Sequence, residues 1–257
     1  MEILTVLYSL ILALVLQTNA LFLKISEQSA RIVNGNGTTI DKAKYVVNLR
    51  IGDSFICGGS LVAPKIVLTA AHCVDWYSAA ELSIVGGATY RTEKGIKRSV
   101  SSIHIPNEYN RPTMNMDIAV LVLSKPMKGA NISTIELCKT NCNAGDELSV
   151  YGWGQIDEDN ETNQLRTVNV PVVEQKKCRD MFEGDIEITN AMLCAGDLMG
   201  KGACFGDSGG PAVFNDQVCG VVSWGSDCAH KDLPHVYANV MYAREFIDEI
   251  MNKYESY

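Results

Sequence analysis

The sequence predicts an all-β protein of antiparallel strands, on three observations. Its apolar segments are short and either alternating or continuous, as in Ser60-Leu61-Val62, Lys65-Ile66-Val67-Leu68, Ile118 to Leu123, Leu148-Ser149-Val150-Tyr151 and Gln217 to Trp224. Glycines and turn residues punctuate the intervals between them. Helical spacing is conspicuous once, near the C-terminus, where Ala243, Phe246, Ile247, Ile250 and Met251 recur among charges. From Tyr242 onward the chain therefore reads as one amphipathic helix.

Taken in order, the chain opens with an apolar run of 14 residues, Ile3 to Leu16, broken only by Thr5 and Ser9 and followed by the small-residue pattern Thr18-Asn19-Ala20. This predicts a secretory signal over residues 1–20, cleaved after Ala20, although Glu2 stands where a positive charge is usual. The run is shorter than the ~20 residues needed to cross a bilayer, so no membrane anchor is expected. Residues 21–31 form a leader that ends in Arg31-Ile32-Val33-Asn34-Gly35. A basic residue before a new apolar N-terminus reads as the cleavage site of a trypsin-like activator. Residues 32–257 remain, and 226 residues allow one or two domains on length alone.

Nine cysteines behind a signal peptide point to disulfides in an oxidising compartment, and the odd count leaves at least one without an internal partner. Asn36-Gly37-Thr38, Asn131-Ile132-Ser133 and Asn160-Glu161-Thr162 fit the glycan acceptor pattern in polar, turn-like surroundings, and at least one is expected to carry a glycan. The net charge of −8 is dispersed, which argues for a solvated acidic surface and against nucleic acid as a partner. No phosphate loop or zinc-ligand cluster is present, and neither organic cofactor nor metal is expected. Calcium stays open, since Glu81 to Lys97 shows no convincing set of oxygen ligands.

The chemistry centres on Gly206-Asp207-Ser208-Gly209-Gly210-Pro211, a serine held between glycines on a tight turn. A hydroxyl is a poor nucleophile at its own pKa and needs an adjacent base, itself oriented by an acid. Both lie upstream: His72 in Thr69-Ala70-Ala71-His72-Cys73, and Asp117 in Asp117-Ile118-Ala119-Val120-Leu121. Ser208 is expected to attack a scissile carbonyl. His72 would take its proton and Asp117 would fix the imidazole tautomer, while the backbone N–H groups of Gly206 and Ser208 hold the oxyanion.

The three motifs, in the order His, Asp, Ser, resemble the chymotrypsin and trypsin family of serine endopeptidases, over residues 32 to about 250. The resemblance implies two antiparallel six-stranded β-barrels, His72 and Asp117 on the first and Ser208 on the second, crossing near residues 131–146, with the C-terminal helix packed on the second. It implies a secreted zymogen in which the freed amine of Ile32 pairs with Asp207, so that the uncut chain leaves the surroundings of Asp207 disordered. It implies the pairs Cys57 with Cys73, Cys178 with Cys194 and Cys204 with Cys228. Cys138, Cys142 and Cys219 depart from the pattern, as do Leu148 and Phe214, which stand where a common bridge is found. Cys219 is expected to pair with Cys142 or Cys138.

The substrate pocket also departs. Trypsins carry an Asp six residues before the nucleophile, where this chain has Gly202 followed by Ala203. Cleavage after Lys or Arg by the usual means is therefore not expected. Gly225 leaves room for a side chain, Asp227 stands near the pocket rim where glycine is common, and His235 replaces a glycine at the base. Three preferences remain open: an apolar pocket with His235 packed away, an acidic or polar preference through His235, or a residual basic preference through Asp227. Protein or peptide substrates, an upstream trypsin-like activating protease and protein protease inhibitors are the partners that follow. The alternative class is a catalytically inactive homologue acting as a binding protein; such chains usually lose Ser, His or Asp, and none is lost here.

Overall fold

The computed structural model describes residues 35–155, 163–197, 202–204, 206–225 and 232–255, within one compact unit. The expected signal and leader, with Arg31, Ile32, Asn160, Asp227 and Cys228, lie outside the described residues. A two-residue strand, β1 (Asn36–Gly37), precedes six strands that close into a barrel. These are β2 (Val46–Ile51), β3 (Ser54–Ala63), β4 (Ile66–Thr69), β5 (Leu82–Gly86), β6 (Ile96–His104) and β7 (Ala119–Leu123), in the order β2-β3-β4-β7-β6-β5. All pairs are antiparallel. Strands β4 and β7 are buried throughout, so they read as apolar runs instead of alternations.

The second half contains β8 (Glu136–Leu137), β9 (Glu147–Gly152), β10 (Arg166–Pro171), β11 (Met192–Ala195), β12 (Pro211–Phe214), β13 (Gln217–Trp224) and β14 (His235–Asn239). With β1 they form an eight-stranded sheet in the order β1-β10-β9-β12-β13-β14-β11, β8 lying parallel to β13. The sheet curls back on itself beyond β10. Val172 bridges Ala195, Val173 N–H donates to the Cys194 carbonyl at 2.8 Å and Gly196 N–H to the Pro171 carbonyl at 3.0 Å. Closure satisfies edge amides that an open sheet would leave unpaired. Leu148, Val150, Val168, Val170, Ala212 and Tyr237 fill the interior. The β12–β13 hairpin turns at Asn215 and Asp216, both at positive φ (48° and 58°), the backbone a two-residue type I′ turn requires and Asn and Asp tolerate.

Two α-helices complete the unit. The first, α1 (Gln175–Met181), starts at Glu174, whose carboxylate accepts the N–H groups of Lys176 and Lys177. The second, α2 (Arg244–Glu255), is the amphipathic tail. Its docking corrects the expectation of a helix lying on the second barrel alone. Ile247 and Ile250 join the apolar cluster that holds Leu121 and Leu123 of the first barrel together with Val218 and Val221 of the second, and Tyr254 packs its ring 5.3 Å from His104 at the end of β6. The apolar face of α2 thus covers apolar residues of both halves. Among the described residues, no helix is long and apolar enough to cross a membrane.

Disulfides join Cys57 to Cys73, Cys178 to Cys194 and Cys138 to Cys219. Cys204 is disulfide-bonded as well. The pairing left open for Cys219 therefore falls to Cys138, and Cys142 is a half-buried free thiol. The backbone decides this: Cys138 N–H donates to the Val218 carbonyl at 3.0 Å, one residue from Cys219, because β8 pairs with β13 there. The acceptor asparagines Asn36 and Asn131 are both exposed.

Candidate active site

His72 sits on a single 3₁₀ turn, Ala71–Cys73, at the end of β4, and the Cys57–Cys73 disulfide ties that turn to β3. Asp117 lies at the entry to β7, whose pairing with β4 sets Ala119 beside Thr69. The two side chains meet: His72 Nδ1 is 2.7 Å from Asp117 Oδ2, and the His72 backbone N–H donates to Asp117 Oδ1 at 2.8 Å. Ser223, on β13, donates its hydroxyl to Asp117 Oδ2 at 2.5 Å. The Asp117 side chain is fully buried and that of His72 is 18% exposed, so the carboxylate is satisfied inside while the imidazole edge faces outward.

The turn that carries Ser208 touches the first barrel through backbone contacts close to the His72 turn. The Gly58 N–H donates to the Ser208 carbonyl at 2.8 Å, one residue from Cys57 and its disulfide to Cys73. Gly209, at φ +77°, packs against Thr69 and Ala70, just before His72; a Cβ there would fall 2.5 Å from the Gly58 carbonyl oxygen. Gly206 is also in the left-handed region, at φ +92°, where a side chain is strained. The N–H groups of Asp207, Gly209 and Gly210 are taken by the carbonyls of Cys204, Val222 and Asp207. Among the described residues the N–H groups of Gly206 and Ser208 donate to no backbone carbonyl.

Behind the turn, Asp207 is completely buried. Its carboxylate accepts the Gly154 N–H at 2.8 Å and the Cys204 N–H at 2.9 Å. Burial pushes its pKa up to about 6, against the pull of these two amides and the Arg166 charge.

The pocket residues named from the sequence divide. A Cβ on Gly202 would fall 2.5 Å from His235 Cδ2, and one on Gly225 would fall 2.5 Å from His235 Nδ1. The imidazole therefore lies between these two glycines and is only 7% exposed. Burial lowers its pKa to about 4. Ala203 is buried and belongs to the apolar cluster of the second barrel. Sequence reasoning did not single out Ser223 as a partner of Asp117, nor Arg166; a serine in a pocket strand and an arginine on a β-strand carry no local signal of what they meet.

A closed six-stranded barrel followed by a second, mostly antiparallel sheet that curls back on itself is the architecture of the two-barrel serine hydrolases. The trypsin family model matches residues 32–247, and the chain belongs to that family. It is 43% identical over 221 residues to seminase of Drosophila melanogaster, covering 84% of this chain and 80% of the relative. Trypsin beta of Drosophila erecta is 39% identical (87% and 89% covered), and the vitellin-degrading protease of Bombyx mori 38% (85% of each). The protein is a serine endopeptidase acting on proteins or peptides.

Proposed function

We propose that the chain is secreted as a zymogen, with a signal over residues 1–20 and a propeptide over 21–31, activated by cleavage after Arg31, and that it cuts next to short acidic or polar side chains instead of after Lys or Arg. The observation that carries the substrate preference is the His235 imidazole between Gly202 and Gly225. An arginine or lysine needs depth and an anion at the floor, where this chain has glycine; a bulky apolar side chain needs the volume that the ring fills. A short acidic side chain needs neither. Its carboxylate would meet an imidazole that is neutral in the free enzyme and gains a proton when the anion arrives.

In the reaction, Ser208 Oγ attacks the scissile carbonyl and His72 Nε2 takes its proton, later returning it to the leaving amine. Asp117, held by Ser223, keeps Nδ1 protonated and stabilises the imidazolium. The Gly206 and Ser208 amides receive the oxyanion, a donor of this kind being worth ~3 kcal/mol in the transition state. The exposure of Asn36 and Asn131 supports glycosylation at one or both. A trypsin-like activator and protein inhibitors are the partners that follow.

The test is digestion of a peptide library varied at P1 by the chain cut after Arg31. Cleavage after Glu, Asp or small polar residues is expected. Dominant cleavage after Arg and Lys would overturn the pocket reading, and failure of Ser208 to react with a sulfonyl fluoride would overturn the catalytic one.

A further inference from the structure

Among the described residues the mechanism leaves two buried arginines unused: Arg50 on β2, which donates to Asn48 and to the Arg91 and Glu93 carbonyls, and Arg166 on β10. Arg166 is 8% exposed, whereas a surface strand arginine would extend into water. Its register explains where it points. Arg166 stands directly opposite Gly152 on β9, and opposed residues of an antiparallel pair send their side chains to the same face. A Cβ on Gly152 would fall 2.9 Å from Asp207 Cγ, and one on Gly154 would fall 2.6 Å from it. The face that receives Arg166 is therefore the one on which the Asp207 carboxylate rests. Among the described residues, Arg166 is the basic group whose charge acts on Asp207. The guanidinium also donates from Nη2 to the Gly35 carbonyl at 2.8 Å, three residues in sequence beyond Ile32.

We infer that Arg166 is a built-in counter-cation for Asp207 that keeps the nucleophile turn partly assembled before the chain is cut. The inference rests on the zymogen reading above and modifies it. A buried carboxylate with two amide donors and no cation is unfavourable by several kcal/mol, the condition that would disorder an uncut chain. An arginine is always protonated and needs no proteolysis to deliver its charge. The uncut chain consequently retains part of its active geometry, and the Ile32 amine adds a second cation to one already in place. Arg166 acts through Asp207 on Ser208 and the Gly206 amide, so it is a positioning residue; it does not touch substrate.

The experiment compares full-length chain made uncleavable by Arg31→Gln with chain cut after Arg31, each with Arg166, Arg166→Gln or Arg166→Lys. Two readouts are taken: the rate at which a sulfonyl fluoride labels Ser208, and kcat/KM on one peptide. The expected result is measurable labelling of the uncut parent, a loss on the order of tenfold in uncut Arg166→Gln, a several-fold smaller loss in the cut form, and recovery with Arg166→Lys. A purely structural role through Gly35 would lower both forms alike and leave Lys without effect. Equal losses in the two forms, or an uncut parent that never labels, would overturn the inference while the zymogen reading stands. If cutting after Arg31 changes neither readout in the parent, the zymogen reading fails and the inference with it.

Discussion

At the scale of the residue, Asp117 is the most heavily determined group of the site, taking hydrogen bonds from the backbone N–H of His72 and the hydroxyl of Ser223 and facing the His72 ring. A hydrogen bond to a charged group contributes about 1.5–3 kcal/mol, so Ser223→Ala is expected to lower kcat on the order of 10- to 100-fold with little change in KM. An unchanged kcat would show that His72 alone holds the carboxylate. Ser208→Ala should remove peptidase activity while leaving the thermal midpoint nearly unchanged, because the hydroxyl supplies chemistry and little packing; equal turnover by variant and parent would sink the assignment. His235 gives a pH signature in stability. Its pKa is lowered to about 4, so between pH 6.5 and 4 the unfolded chain binds more protons than the folded one and stability falls as pH drops through that window. His235→Gly should remove this dependence, up to roughly 3 kcal/mol, in denaturant titrations across pH. Asp207 acts in the opposite sense: with its pKa raised to about 6, its contribution is lost as pH rises from 3.8. The difference between parent and variant is therefore the quantity to follow, and parallel curves would place the imidazole in a solvated setting.

At the scale of the element, the strands were readable because burial on one or both faces writes a local pattern: the run Ile118 to Leu123 became β7 and Gln217 to Trp224 became β13. The motif residues were readable for a similar reason, each being flanked by its own turn or strand. What two distant strands bring together was not. The Ser223–Asp117 bond spans 106 positions, the docking of α2 depends on β6 and β7, and the choice of Cys138 over Cys142 depends on β8 lying beside β13. That choice is checkable. Peptide mapping without reduction should recover Cys138 linked to Cys219, with Cys142 alkylated only slowly in the native protein, because burial pushes its thiol up to about 11. Labelling should accelerate about tenfold per pH unit as the thiolate fraction rises. Recovery of Cys142 in the disulfide would reverse the assignment.

At the scale of the whole molecule, the site belongs to neither half alone: the His–Asp pair stands on the first barrel, Ser208 and Ser223 on the second, and the seam is set by Gly58, Gly209 and the Cys57–Cys73 loop. Removing that disulfide frees a loop of 16 residues and should cost about 3 kcal/mol, but its larger effect is expected on the His72 turn that it ties to the seam. The same architecture argues that the protein does not activate itself. The proposed leader ends in Arg31, and an arginine at P1 wants a carboxylate at the pocket floor, where the pocket proposed above has Gly202 beside the His235 ring. A partly assembled uncut chain, as Arg166 would allow, does not change this, since the obstacle is specificity and not turnover. Activation should then require a second, trypsin-like enzyme. Zymogen incubated alone at high concentration should keep its leader for as long as it stays soluble, while a trace of trypsin exposes Ile32 at once, read by N-terminal sequencing. Rapid exposure of Ile32 in the absence of trypsin, suppressed by Ser208→Ala, would show that this pocket accepts arginine and that the imidazole gives way to it.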